Sequence, residues 1–388
     1  MPGWRVDLLA TAAPDDPTSG LSRTVFELGR ALAERGHSVR VLYPSDGRPA
    51  PPGPAGVEAV SVPLIGVSRR PFGRDIAIGR AASSLIRPDS DVVIGNDEKA
   101  GALQMPRAGG HRSVFGMFFH DVALHTFDTL RPLEPNGGVR QRVGNWLDRR
   151  ALLRLESAAL ARADVVIVGS EANRALLGRY YAVPKDRIAL LPLGVPAPLD
   201  VGTREAARAA LRIPADAPVV AFVGRTPERQ GLDLALAAFR RVRVFFPGAR
   251  LLVAGSSPPA EPGVNGLGVV DEITKARVYR SADVFLFPAR YEGFGLAPRE
   301  AMRYGVATIV SSHVPLDGAT APADVRVVSD DDPGSYASEL AELLADPATR
   351  REVGRLGQAY ADTLSYEKMA ERFETLFAPR VTGSPAGA

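Results

Sequence analysis

Two glutamates eight residues apart bracket a glycine-containing turn in the segment EGFGLAPREAM. Glu292 opens the turn, and Gly293 and Gly295 let the backbone approach a ligand closely. Glu300 follows Pro298, a residue suited to the first turn of a helix, so Glu300 is expected in that turn. Carboxylates accept hydrogen bonds from hydroxyl groups, whereas a helix N-terminus attracts phosphates. The pattern therefore suits a ligand that carries both hydroxyls and phosphates, such as a nucleotide-sugar.

Both acidic patterns in the second half of the chain also have structural interpretations. Glu300 would complete a capping box, but the expected N-cap position lacks Ser or Thr, so both interpretations stay open. Asp330 and Asp332 form a D-x-D pair that would hold a metal ion or, as we favour, form an acidic turn before the helix that begins near Pro333.

Alternating apolar runs predict the elements that position these residues. In the first half, strands are predicted at Val6–Ala10, Ser38–Tyr43, Val57–Val62, Asp91–Gly95, Val114–His120 and Val165–Gly169. Helices are predicted at Gly20–Arg35, 138–163 and Ser170–Tyr180. Strands that alternate with helices indicate a parallel sheet covered on both faces.

The pattern restarts after a proline-rich linker at Leu191–Asp200. The second half predicts strands at Val219–Gly224, Arg250–Gly255, Val284–Phe287, Ala307–Ser311 and Val325–Val328. It predicts helices at Gly231–Phe245, Lys275–Ser281, Ala297–Tyr304, about Ser335–Ala345 and Ser365–Phe377.

The sequence thus predicts an α/β protein of two tandem, Rossmann-like, doubly wound domains, with ligands at the carboxyl ends of the strands and a cleft between the domains. The expected boundaries are 1–195 for the first domain and 196–364 for the second. A closing helix at 365–380 is expected to return to the first domain, and 381–388 to form a disordered tail.

Composition excludes several kinds of chemistry. The 388 residues include no cysteine, which rules out disulfides and thiolate chemistry, and lysine occurs only at Lys99, Lys185, Lys275 and Lys368. Neither a phosphate-loop motif nor G-x-G-x-x-G after the first strand is present.

The net charge of +3, with +5 in residues 1–195, does not predict a nucleic-acid partner. Without a targeting or membrane-spanning stretch, we expect a cytoplasmic protein.

The segment with the two glutamates resembles a motif of a known enzyme family. EGFGLAPREAM resembles the E-x7-E signature of retaining, family-4-like (group 1) glycosyltransferases of the GT-B fold. Further segments resemble that family in the same order, and together they cover nearly the whole chain: TSGLSRTVFELGRALAERGHSVRVL, FFHD, RADVVIVGS, FVGRTPERQGLDLALAAF, ADVFLFPARYEGFG and SYEKMAERFETLF.

The resemblance implies roles for particular residues. Arg225 would hold the donor diphosphate, Glu292 would contact the transferred sugar, Glu300 would accept from the ribose hydroxyls, and His120 would lie near the reacting sugar. The remaining donor-binding positions that it implies are the first-loop Gly20 beside Ser19, Val270 near the base, and the backbone N–H groups of Phe294, Gly295 and Leu296.

By the same resemblance, the enzyme would move a hexosyl or related sugar from a UDP- or GDP-sugar to a hydroxyl acceptor. Retention would follow from front-face attack, with the departing phosphate taking the acceptor proton. Arginine and helix N-termini stabilise the departing charge, so neither a metal nor another cofactor is expected. The acceptor stays open among a small molecule such as a natural product, a lipid-linked compound and a polysaccharide.

Three positions depart from the family pattern. Gln230 precedes Gly231 where the family has lysine. Gln230 would still bind the donor through a hydrogen bond to a phosphate, but it carries no charge, so one cationic donor contact is missing and Arg229 is the nearest substitute. Leu193 replaces the asparagine of P-N-G-V, and Ala289 stands where serine is common. A nucleotide-sugar epimerase of the same fold and a non-catalytic, nucleotide-sugar-binding partner subunit therefore remain alternatives.

Two further groups have both structural and functional interpretations. His37 is expected to pack at a helix end, and His111, His125 and His313 are expected to be loop residues rather than metal ligands. Arginines cluster beside Trp146 on the long helix, where they either form a solvated face or contact an anionic acceptor or membrane surface: Arg140, Arg142, Arg149, Arg150 and Arg154.

Overall fold

The computed structural model describes residues 3–14, 16, 19–45, 52–64, 73–105, 112–130, 139–316 and 325–382. The chain divides into two compact units, one formed by Met1–Gly194 with Tyr366–Ala388 and the other by Val195–Ser365. Predictions for His111 and for the tail beyond residue 382 lie outside the described residues, as do those for the side chains of Arg140 and Arg142.

The elements are numbered here in chain order. The strands are β1 Arg5–Leu9, β2 Ser38–Ser45, β3 Val57–Pro63, β4 Val92–Asn96, β5 Val114–Phe119, β6 Val165–Val168, β7 Ile188–Leu190, β8 Val219–Val223, β9 Arg250–Ala254, β10 Val264–Gly268, β11 Val284–Phe287, β12 Ala307–Ser311 and β13 Arg326–Val328. The helices are α1 Gly20–Glu34, α2 Gly73–Ser83, α3 Ala123–Leu130, α4 Val139–Arg162, α5 Glu171–Tyr181, α6 Arg204–Ala210, α7 Pro227–Gln230, α8 Leu232–Val242, α9 Glu272–Ser281, α10 Leu296–Arg303, α11 Pro333–Ala345, α12 Pro347–Ala361 and α13 Tyr366–Val381, with short 3-10 helices at Asp97–Ala102 and Lys185–Arg187.

Each unit contains one parallel, doubly wound sheet. The strand order is β3-β2-β1-β4-β5-β6-β7 in the first unit and β10-β9-β8-β11-β12-β13 in the second. The inner strands β5, β6, β8, β11 and β12 are buried throughout, which is typical of parallel strands covered by helices on both faces. The order reverses between β1 and β4 and between β8 and β11, so these are the positions where such sheets bind ligands. The predicted fold class is confirmed.

All eleven predicted strands are present within one or two residues of their expected bounds, whereas several weaker elements were missed. The missed elements are α2, α3, α6, α7, α12, the three-residue β7 and the glycine-containing β10. In α12 two glycines obscured the helical pattern. Gly354 is required there by packing, since a Cβ atom would lie on the backbone oxygen of Gly305. In the described ranges, no helix is both long enough and apolar enough to cross a membrane.

Helix α13 is part of the first unit, and a cluster of polar side chains holds it there. Glu374 on α13 accepts hydrogen bonds from Arg35 Nε at 2.8 Å and Nη2 at 2.7 Å. Trp4 donates its backbone N–H to His37 Nδ1 at 3.0 Å, so the proton of His37 is on Nε2, which lies 2.9 Å from Glu374. Arg35 above all, and His37 with it, lowers the pKa of Glu374 from 4.5 to about 2. His37 thus packs beside the end of α1, as predicted.

Replacing Glu374 by Gln should lower the free energy of unfolding of the first unit by about 2 kcal/mol at neutral pH. The folded-state pKa lies below the ordinary value, so the stabilisation is present above pH 4.5 and is lost as the pH falls toward 2. The deficit of E374Q relative to wild type, measured by urea unfolding at several pH values, should therefore shrink in acid. Glu371→Gln, at a side chain that is 57% exposed, is the matched control. A deficit that does not change with pH would contradict this account.

Candidate active site

The first candidate group lies at the carboxyl edge of the second sheet, where the strand order reverses. Arg225 follows β8 by two residues and its side chain is exposed. The preceding residue is fixed by its neighbours, because Gly224 donates its N–H to Ala254 O at 2.9 Å and accepts a short hydrogen bond from Ser256. An exposed cationic side chain thus projects from a backbone that the adjacent strand holds in place.

The loop after β11 carries Glu292, and arginines fix its surroundings. Arg290 forms a two-pronged pair with Asp233 at 2.8 and 2.6 Å and donates its backbone N–H to Arg229 O at 2.8 Å. Arg229 Nη2 lies 3.6 Å from Glu292 Oε2, and both side chains are largely buried. The predicted sugar-binding carboxylate is therefore seated beside a guanidinium group whose backbone Arg290 holds.

The structure places Gln230 in a supporting position. Its Oε1 accepts the backbone N–H of Thr226 at 3.0 Å, which closes the turn that follows Arg225. The side-chain amide nitrogen is the group that is able to donate to a ligand. Arg229, the expected substitute for a lysine, instead directs Nε to Thr226 Oγ1 at 3.3 Å and Nη2 toward Glu292.

The turn before α10 positions backbone N–H groups. Gly295 is the N-cap of α10 with φ +81°, a conformation that favours glycine, and no side chain caps the first turn. A fully buried Arg299 fixes this turn from below: it donates to the backbone oxygens of Phe294, Gly295 and Pro315 and to Tyr360 Oη at 3.0 Å. Its guanidinium also stacks on Phe294, 4.0 Å from the ring centroid. The peptide groups around Leu296 are therefore held before any ligand binds.

Glu300 is one turn deeper than expected. It is the fifth residue of α10 rather than part of the first turn, and the capping-box interpretation is wrong because the N-cap is Gly295. Its carboxylate accepts Tyr279 Oη at 2.9 Å and Lys275 Nζ at 3.2 Å. Lys275 and Tyr279 lie on α9, which begins two residues after the half-buried Val270.

The second candidate group lies at the carboxyl edge of the first sheet and centres on the buried His120. Asn96 Nδ2 donates to the backbone oxygen of Leu9, so its Oδ1 faces His120 Nε2 at 2.8 Å. An acceptor at that position places the imidazole proton on Nε2. Asp97 accepts the backbone N–H of His120 at 2.9 Å, and Asn173 donates to its carbonyl at 2.7 Å. The ring is thus fixed in one tautomer and one orientation.

Gly20 begins α1 at the same edge. Ser19 is the N-cap of that helix and accepts the backbone N–H of Ser22 at 3.1 Å. Thr11, two residues beyond β1, lies 2.9 Å from Ser22 Oγ and 3.2 Å from Ser19 Oγ. Three hydroxyl groups therefore close the first loop against the start of the helix.

Several predicted residues serve structure. Asp330 accepts the N–H of Asp332 at 3.1 Å and the hydroxyl of Ser335 at 3.0 Å, which makes the acidic pair a turn before α11, as favoured. The prediction that His125 is a loop residue is wrong, because His125 lies on α3, where its Nδ1 is 3.2 Å from Tyr180 Oη. Within the described ranges, no three His, Asp or Glu side chains are grouped to hold a metal ion.

The residues that support the predicted site residues could not be identified from the sequence. Asn96, Lys275, Tyr279, Arg290 and Arg299 were not singled out. The available signals were weak: Asn96 ends a strand, Lys275 is one of four lysines, and Arg299 is a charged residue inside EGFGLAPREAM.

We expect Arg299→Lys to destabilise the second unit by about 2 kcal/mol or more, because an ammonium group cannot reach several carbonyls at once. Chemical unfolding would measure this loss. Arg241→Lys, at a side chain 57% exposed, should change stability by less than about 0.5 kcal/mol. Equal stability of R299K and wild type would show that the guanidinium does not fix the turn.

Nitrogen-15 NMR of the histidine rings, of which the chain has five, tests the assignment at His120. Wild type should show His120 protonated at Nε2, and Asn96→Ala should yield a mixture of tautomers because the fixed acceptor is gone. Asn265→Ala, in the other unit, should leave the His120 signals unchanged. A wild-type ring protonated only at Nδ1 would refute the hydrogen-bond scheme.

The chain is similar in sequence to glycosyltransferases and to a related synthase over part of its length. The chain is 33% identical over 234 residues to the D-inositol 3-phosphate glycosyltransferase of Segniliparus rotundus, a match that covers 56% of this chain and 52% of that relative. It is 28% identical to the alpha-maltose-1-phosphate synthase of Mycolicibacterium smegmatis over 65% of this chain and 71% of the relative. The first of these matches therefore spans about half of the relative's length.

The fold comparison covers both units. Sucrose-phosphate synthase from Thermosynechococcus elongatus has a TM-score of 0.77 over 98% of this chain and 100% of its own, at 22% identity, which establishes the GT-B fold. The model of Glycosyltransferase Family 4 matches residues 18–197, and that of Glycosyl transferases group 1 matches residues 217–346. The chain therefore belongs to the glycosyltransferases, the enzyme family predicted from EGFGLAPREAM.

Proposed function

We propose that this protein transfers a hexosyl or related sugar from a nucleoside-diphosphate sugar, with UDP or GDP as the carrier, to a hydroxyl acceptor, with retention of configuration and without a metal. The observation that carries the proposal is the switch point of the second sheet. There Arg225, the Glu292–Arg229 pair and the uncapped turn before α10 follow two adjacent strands, β8 and β11.

The donor's charged part is matched by this edge. Arg225 is an exposed cation that is able to form a fork with phosphate oxygens, and the start of α10 adds N–H groups and positive potential. The interactions of Arg225 and of the α10 N-terminus with the phosphates become stronger as the departing diphosphate accumulates negative charge. Because Arg299 already fixes the turn, little reorganisation of the backbone is needed when the donor binds.

The hydroxyl-bearing parts of the donor are matched by the two glutamates. Glu292 would accept from hydroxyls of the transferred sugar, with Arg229 holding its charge. Glu300 would accept hydrogen bonds from the ribose hydroxyls. A carboxylate has about four acceptor sites, so it is able to accept from a ligand in addition to Lys275 and Tyr279, which approach it from α9. Val270, which precedes α9, would line the base pocket.

In the proposed reaction, the bond from the sugar's anomeric carbon to the diphosphate oxygen breaks and a bond to the acceptor oxygen forms on the same face. The acceptor proton passes to the departing diphosphate, so no strong protein base is required. The transition state has oxocarbenium character, as in other glycosyl chemistry. His120, held in one tautomer by Asn96, would contact the reacting sugar, and Gly20 would let the first loop approach the diphosphate.

The names of the relatives agree with transfer to a hydroxyl group. One is named for D-inositol 3-phosphate and another for alpha-maltose-1-phosphate, and both compounds carry hydroxyls. They differ from each other, so they favour the reaction class rather than a single acceptor. Small-molecule, lipid-linked and polysaccharide acceptors all remain compatible with the proposal.

Cleavage of the donor without any acceptor tests the proposal, because slow transfer to water needs only the donor site. Arg225→Ala should lower the release of UDP or GDP from the preferred nucleotide-sugar on the order of 10²–10³-fold. Glu292→Ala and Glu300→Ala should also lower it strongly. The measurement is nucleotide release from a panel of sugars, with chelator present to test independence from metals.

Arg277→Ala, at a half-buried arginine on α9, is the matched control and should release nucleotide at the wild-type rate. Near-normal release by R225A would refute the donor site. Conversion of the sugar to its epimer without transfer would favour an epimerase. Donor binding without cleavage, and without transfer to any acceptor, would favour a non-catalytic partner subunit, which the loss of lysine at Gln230 suggested.

A further inference from the structure

The solvent face of α4 is unusually apolar. Seven side chains spaced three or four residues apart form this face, and all are exposed: Val143, Trp146, Leu147, Arg150, Leu153, Arg154 and Ser157. The four large apolar members are between 37% and 53% exposed. The opposite face packs on α3, β5 and the 3-10 helix Asp97–Ala102. A surface helix normally places polar residues outward, so this face fits an apolar partner.

Basic side chains accompany the apolar ones. Arg150 lies over the Trp146 ring, 4.7 Å from its centroid, and Arg154 is one turn further along the same face. Arg149, at the side of the helix, is instead paired with Asp128 at 3.0 Å. Over the part of the chain that the structure describes, neither Arg150 nor Arg154 pairs with a carboxylate. Exposed cations beside Trp and Leu are complementary to a surface that is anionic outside and apolar beneath.

The position of α4 relates this face to the candidate active site. The helix leads into β6, which is parallel to β5, so α4 runs antiparallel to the strands and begins at their carboxyl edge. Its 24 residues span about 36 Å, whereas the six residues of β5 span about 20 Å. The first turns of α4 therefore extend beyond the sheet at the edge that carries His120.

A second copy of the chain suits this face less well. Four side chains that are about half exposed offer far less than the ~800 Å² per partner of a stable dimer. Two copies meeting through the same patch would also bring Arg150 and Arg154 near their own equivalents, and like charges repel.

We propose that the Val143–Arg154 face of α4 docks on the anionic surface of a phospholipid bilayer, with Trp146 and Leu147 among the headgroups and Arg150 and Arg154 against lipid phosphates. Docking would bring the edge that carries His120 close to acceptors at the membrane. The proposal goes beyond sugar transfer and does not rest on it, because its test contains no substrate.

Intrinsic fluorescence provides a local readout. The chain has two tryptophans, and Trp4 is 4% exposed in the core, so Trp146 reports on this face. We expect the full chain to co-sediment with vesicles of phosphatidylcholine and phosphatidylglycerol and its emission to shift to shorter wavelength. Pure phosphatidylcholine vesicles should bind it much more weakly, and 0.5 M salt, about three times physiological ionic strength, should release it.

Matched variants separate the two contributions. The double variant R150E/R154E should bind anionic vesicles on the order of 30-fold more weakly, given about a fivefold effect from each arginine. Leu147→Ser should also weaken binding. Arg351→Glu on α12 and Phe245→Ser, at a side chain 76% exposed, should bind like wild type. Thermal unfolding verifies that every variant is folded.

Three results would overturn the proposal. The first is that wild type binds neither kind of vesicle. The second is that wild type binds both kinds equally and that R150E/R154E binds as wild type does. The third is a dimer in sedimentation velocity that L147S dissociates, which would assign the face to a second copy. Each result leaves the donor-cleavage test of the transferase function unaffected.

Discussion

Guanidinium groups that donate to backbone carbonyls hold the candidate donor edge together. Arg299 bonds to the backbone oxygens of Phe294, Gly295 and Pro315, and Arg290 bonds to that of Glu228 as well as to Asp233. A planar fork with five donors is able to fix several peptide groups at once, which an ammonium group cannot do. The scarcity of lysine in this chain is thus accompanied by a structural use of arginine.

This arrangement gives the proposed chemistry a fixed framework. The turn before α10 has no side-chain cap, and Arg299 holds the carbonyls of the two peptides whose N–H groups belong to Gly295 and Leu296. Glu300 and Glu292 are likewise supported by cations, Lys275 and Arg229. Preorganised donors and acceptors stabilise a transition state without the cost of reorienting them during the reaction.

Much of the fold could be predicted from sequence because parallel strands are continuous apolar runs. VVAFV, VFLF and VVIV are recognisable without any context, and each became a buried strand. Elements whose stability comes from packing were missed. Helix α12 carries Gly354, which weakens the helical pattern but is required by the approach of Gly305, and β10 is an edge strand of sequence VNGLG.

The candidate site likewise contains residues that the sequence predicts and residues that only the fold reveals. Residues that would touch the donor, such as Arg225, Glu292 and Glu300, follow strands and glycines that a single sequence displays. The residues that support them are distant in the chain: Lys275 lies 25 positions before Glu300, and Asn96 lies 24 before His120. Only the fold brings such pairs together. The capping-box alternative for Glu300 also needed the structure, because the N-cap proved to be Gly295.

The central claim is that the second unit binds a nucleoside diphosphate through its phosphates and ribose together. Titration calorimetry of the full chain with UDP, GDP and the free nucleosides tests it most directly. The account predicts that one diphosphate binds at least ~10-fold more tightly than its nucleoside, because the phosphate contacts add charge-assisted hydrogen bonds. Equal affinity for the diphosphate and the nucleoside, or no binding of either diphosphate, would contradict it.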